Sequence, residues 1–93
     1  MIVGIMSVEL AILESHSLKD KRQVIQSLKQ RIANTFNVSI AETAHGDSPR
    51  RCQLGIALVS NESRAVHSQL DRVIDAIRRS AGCTLIKYER EIV

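Results

Sequence analysis

Ser15-His16-Ser17-Leu18-Lys19-Asp20-Lys21-Arg22 joins two segments of different periodicity, and the reading of that joint decides the fold. Upstream, Ile2, Met6, Val8, Leu10 and Ile12 take even positions between Ile2 and Leu13, the period-two pattern of a strand with one buried face. Downstream, Leu18, Ile25, Leu28, Ile32 and Phe36 recur at helical spacing. Ser17 is placed to cap that helix and Asp20 to complete a shortened capping box, so the spacing predicts a helix from Leu18 to about Thr35. A helix N-terminus already carries positive partial charge, so Lys19, Lys21 and Arg22 just inside it invite an anion.

The rest of the chain repeats this grammar. Asn37 suits a left-handed helix end, and Val38-Ser39-Ile40-Ala41-Glu42-Thr43 reads as a second strand. His45-Gly46-Asp47-Ser48-Pro49 carries turn chemistry before Gln53-Leu54-Gly55-Ile56-Ala57-Leu58-Val59 resumes alternation. Ser60 and Asn61 offer caps for a second helix with the stripe Val66, Leu70, Val73, Ile74, Ile77 and Ala81, closed by Gly82. Thr84 to Val93 mixes β-formers with charge, as an edge strand guarded against other chains does. The order βαββαβ predicts a ferredoxin-like α+β domain: a four-stranded antiparallel sheet, strands one and three central, two helices on one face.

Composition bounds the rest. Ninety-three residues with 44% hydrophobic content support one core, hence a single domain over 1–93. Thirteen Lys and Arg against ten Asp and Glu give +3, which permits an acidic partner but lacks the large excess of dedicated nucleic-acid binders. Cys52 and Cys83 have no metal or redox spacing, which points to a reducing compartment, although one disulfide between them stays open. The apolar start Met1-Ile2-Val3-Gly4-Ile5-Met6 has no basic leader and is interrupted at Glu9, which argues against a signal peptide or membrane span and for a cytoplasmic protein.

Catalytic patterns are weak. His16, Ser17 and Asp20 supply triad residue types, yet neighbours at a strand-to-helix joint do not set triad geometry, and capping already explains two of them. His16, His45 and His67 stand singly on separate segments, and Gly4, Gly46, Gly55 and Gly82 form no phosphate loop. The reading is therefore noncatalytic, with no metal and no cofactor; the alternative, a small-molecule or enzymatic role, has only the anion pocket at the helix start behind it.

Binding surfaces remain. At about 100° per residue Lys21 falls on the apolar stripe with Leu18, Ile25 and Ile32, while Arg22 and Lys29 flank it. Lys21 then either lays its stem over the core and lifts its ammonium to the rim, or joins Arg22 and free helix N–H groups around a phosphate or carboxylate. Arg50 and Arg51 follow Pro49 in the hairpin, whereas Arg78 and Arg79 complement a helix C-terminus. Counting ends puts the hairpin beside the start of helix one, so Ser17, Lys19, Lys21, Arg22, Arg50 and Arg51 are expected to share a basic rim that faces an anionic partner. On the opposite face Val3, Ile5, Ser7, Glu9, Ala11, Gly55, Ala57 and Val59 include no aromatic. That disfavours base stacking and suggests burial against a second copy or another protein, the alternative being an ordinary solvent face.

His16-Ser17-Leu18-Lys19-Asp20-Lys21-Arg22, then Arg31-Ile32 with Asn34, Phe36-Asn37-Val38-Ser39-Ile40-Ala41-Glu42 and Leu54-Gly55-Ile56-Ala57 resemble the YlxP-like family of small bacterial proteins. The likeness runs from the first strand to the last, and its specificity lies in the first and third segments together. It implies a ferredoxin-like domain of unknown function. It also implies genomic company with translation and ribosome maturation, hence RNA or a ribosomal subunit as the expected partner. No catalytic residues carry over; Ser17, Lys19, Lys21 and Arg22 are the motif positions the resemblance marks.

Overall fold

Strand β1 (Ile2–Ile12) buries Met6, Val8 and Leu10 completely, as its even-numbered parity requires. Gly4 shares that parity and is also buried; a Cβ there would run into Val66 Cγ1, so the missing side chain lets a helix settle against the strand. A computed structural model describes all residues from Met1 to Val93. Helix α1 (Leu18–Thr35) starts where the cap predicts: Ser17 Oγ accepts from the Asp20 N–H at 3.1 Å, and Asp20 Oδ2 accepts from the His16 N–H at 3.1 Å. The box thus reaches one residue further back than the usual pairing.

Strands β2 (Ser39–Ala44) and β3 (Arg51–Ser60) form the hairpin, helix α2 (Ser63–Arg78) follows, and β4 (Cys83–Ile92) closes the chain. The sheet is antiparallel in the order β2-β3-β1-β4, so β1 and β3 are central as the element order predicts. Helix α1 lies over β2, and α2 over β1, β3 and β4. Ile25, Leu28 and Ile32 from α1 and Val66, Leu70, Val73, Ile74 and Ile77 from α2 seal one core against the sheet. Each such side chain stabilises the fold by roughly 1.5–3 kcal/mol.

Three local expectations are corrected. Asn37 is not left-handed: Phe36 caps α1 in extended geometry, its N–H bonded to the Ile32 carbonyl. Glu62 is the N-cap of α2 without a side-chain bond, while Ser60 Oγ accepts from the Glu62 N–H at 3.2 Å, so the serine serves the turn and not the helix. Helix α2 ends at Arg78 with Arg79 as cap, and Gly82 adopts its φ of 84° in the turn into β4. There its carbonyl takes the Leu13 N–H at 2.9 Å, so the glycine serves the strand junction. The two cysteines are free, buried thiols. No helix is long and apolar enough to cross a membrane.

Candidate functional site

The end of the sheet where β1 passes into α1 and β2 into β3 carries every residue of the expected rim, and hydrogen bonds hold its loops together. The Ile12 N–H donates to the Arg50 carbonyl at 2.9 Å, and Arg50 Nε donates to the Ser15 carbonyl at 3.1 Å. Ser15, itself buried, turns its Oγ onto the Ser17 carbonyl at 3.1 Å. The hairpin and the start of α1 therefore do share one end.

Within that end the cations part company. Lys21 is only 2% exposed, so its ammonium does not reach the rim. Its Nζ donates to the His45 carbonyl and stands 2.8 Å from Glu42 Oε2. This contact is a close ion pair, and Oε2 is itself buried. Glu42 can reach it because β2 places Glu42 opposite Leu54, on the helix-facing side, just before the register shifts between Glu42 and Ala44. A buried ammonium without a counter-charge is costly, which is why the apolar stripe tolerates lysine only with this carboxylate beside it.

Arg51 turns the other way. Its Nη2 holds Glu9 Oε2 at 2.7 Å on the open face of the sheet, and His45 Nε2 lies 3.4 Å from Glu9 Oε1. Partial burial pulls the Glu9 pKa upward, but bonds from His45 and Arg51 and the charges of Arg51 and Lys87 outweigh it, leaving Glu9 below its ordinary 4.5. His45 joins both clusters. It sits at φ 63°, with its carbonyl toward Lys21 on one side of the sheet and its ring toward Glu9 on the other. A left-handed non-glycine residue is uncommon, and here tertiary bonds hold it from both faces.

Lys19 and Arg22 stay exposed on α1, with no acidic partner. Between α1 and β2 lies a cleft of about 240 Å³ lined by Leu18, Lys21, Arg22, Ile25, Gln26, Lys29, Glu42 and Gly46. Beneath it Cys52 is buried: desolvation first, then the Glu42 carboxylate, push its thiol up to about 12 against the pull of Lys21 and Lys29. It is a protonated core thiol and not a nucleophile.

Sequence reasoning singled out Lys21, Arg50 and Arg51 but not their partners Glu42, Ser15, Glu9 and His45. A signal for Glu42 existed, since a lysine on an apolar stripe needs a buried counter-charge and Glu42 shares the parity of Ile40 in its strand. Glu9 was visible as the one charge in an otherwise uncharged strand.

A family model described as "Protein of unknown function (DUF503)" matches residues 3–90. "Uncharacterized protein YlxP" of Bacillus subtilis (strain 168) is 38% identical over 72 residues, which is 77% of this chain and 78% of that protein. Two solved structures share the fold: a de novo designed protein, LFR1 1, described as having the ferredoxin fold (TM-score 0.58, 13% identity, 99% of this chain and 85% of that one), and the de novo designed protein Foldit4 (TM-score 0.55, 10% identity, 100% and 97%).

Proposed function

The chain belongs to the DUF503 family of proteins of unknown function, so its role is read from its own surfaces, and we propose that it is a binding module whose open sheet face pairs with a second copy. The observation that carries this reading is the apolar end of that face. Val3 lies opposite Val59 and Ile5 opposite Ala57, with Ile5 43% and Val59 59% exposed. Ser7 and Ala41 continue the surface with small side chains, and the Thr43 side chain folds over Gly55 between them. Toward the other end both signs of charge occur, Glu9 and Glu89 against Arg51 and Lys87, and Glu91 flanks Ile5 on β4. Three carboxylates against two cations repel a phosphate backbone, which favours a protein partner here.

A two-fold axis along β1 would lay each apolar end on its equivalent and set β4 of one copy over β3 of the other. At low micromolar concentration the protein should sediment as a dimer, and Ile5→Glu with Val59→Glu should make it monomeric without changing its circular dichroism. A wild-type protein that sediments as a monomer sinks the reading.

A second reading, contact with RNA or a ribosomal subunit, is favoured by one observation: Lys19 and Arg22 are exposed without acidic partners on the helix layer, and Arg50 is fastened beside the same helix start. Such contacts release counterions, so affinity for ribosomal RNA should fall steeply with salt and drop further in Lys19→Gln/Arg22→Gln. Absence of filter binding even at low salt removes this reading.

A further inference from the structure

The cleft between α1 and β2 has the makings of a ligand site that shares only Arg22 with the surface readings above. Its floor is built by Lys21, whose ammonium is almost fully withdrawn from solvent and has three N–H donors. One donates to the His45 carbonyl and a second faces Glu42 Oε2 at 2.8 Å, which neutralises the charge. The third N–H is left for a ligand at the floor. The helix wall adds Arg22 and Lys29, one flank of α1, and neither meets an acidic side chain. Three cations thus share the concavity with one carboxylate, and that carboxylate already answers to Lys21. Concave, partly apolar walls such as Leu18 and Ile25 concentrate the remaining positive field.

The carboxylate narrows the ligand further. Glu42 lines the same cleft with 27% of its side chain exposed, and an ionised carboxylate only accepts hydrogen bonds. An oxyanion with no proton would be repelled by it, whereas one carrying a hydroxyl would donate to it. We propose that this cleft binds a hydroxyl-bearing phosphate, as free hydrogen phosphate or as the phosphoryl end of a small ligand, with Lys21, Arg22 and Lys29 donating and Glu42 accepting. A volume of about 240 Å³ holds one phosphoryl group with a short substituent and excludes a bulky ligand.

The test is a titration of the wild-type protein followed by amide NMR, with inorganic phosphate, sulfate and glycerol 3-phosphate as probes at about pH 5.5, below the second pKa of roughly 6 of a phosphate monoester, so that both phosphates carry a proton and sulfate does not. Phosphate should give saturable shifts centred on Arg22, Gln26, Lys29 and Gly46. Sulfate, lacking the proton that Glu42 accepts, should bind weaker by about tenfold or more. Arg22→Gln and Lys29→Gln, both at positions without an internal ionic partner, should each weaken phosphate by about tenfold while leaving the spectrum otherwise folded. Tighter binding of glycerol 3-phosphate than of phosphate would assign the source as an organic phosphate, and the reverse as the free ion. No saturable shift with phosphate, equal affinity for sulfate, or indifference to both substitutions would overturn the proposal.

Discussion

Two acid–base clusters sit back to back at one end of the sheet, and they differ chiefly in which way their strand positions face. On the helix side Glu42 meets the ammonium of Lys21, which is 2% exposed. On the open side Glu9 meets Arg51, whose side chain is 50% exposed, and His45 touches both clusters through different atoms. Similar chemistry therefore has unequal consequences: a buried charge has no water to fall back on when its partner is lost, and an exposed guanidinium does.

The largest effect should come from breaking the buried pair. Glu42→Ala leaves the Lys21 ammonium stranded in the core and should cost about 3–5 kcal/mol in urea unfolding. The double change Lys21→Met/Glu42→Leu should recover most of that loss, because an apolar pair of similar volume suits the stripe. If the double variant is as unstable as the single one, the clusters differ for some reason other than desolvation.

On the open side Arg51→Ala should lower stability by only a small part of the Glu42→Ala effect, and the loss should shrink as salt is raised. A loss equal to that of Glu42→Ala would erase the contrast. The smallest effect is the pH dependence of Glu9. Its folded pKa lies below its ordinary 4.5, so the unfolded chain binds its proton first as pH falls. The contribution is complete above about pH 4.5 and is lost as pH drops through the lower folded value. Melting curves of wild type and Glu9→Gln should converge in that acid window; a gap that persists below it would give Glu9 a role beyond its charge.

The dimer interface and the phosphate cleft fall on opposite sides of this comparison. Ile5→Glu/Val59→Glu alters the open face, and Arg22→Gln alters the helix side, so each should leave the other's readout intact. Both changes affecting both readouts would mean that His45 couples the two faces.

Much of this was legible in the chain. The helix from Leu18 to Thr35, its Ser17 cap, the strand parity of Met6, Val8 and Leu10 and the central place of β1 and β3 follow from periodicity and local chemistry. The helix ends were less legible. Asn37 and Gly82 look like left-handed caps, but a residue's tolerance for positive φ does not say that the chain will ask for it there. Gly4 was silent for a related reason: a missing side chain shows its purpose only when Val66 arrives against it.

The sequence by itself determined the elements, their order and the buried faces of β1, β3 and the two helices, because those depend on neighbours within a turn or two of chain. It also placed the hairpin cations beside the start of α1, since antiparallel strands and a returning helix allow only one end. Which acid each cation would meet was decided by the tertiary structure alone. Lys21 finds Glu42 and Arg51 finds Glu9 across 21 and 42 residues of chain, through strand register, a bulge in β2 and the seating of α1. Those pairings decide whether a cation such as Lys21 serves the core and a cleft, or the outer surface where a partner would meet it.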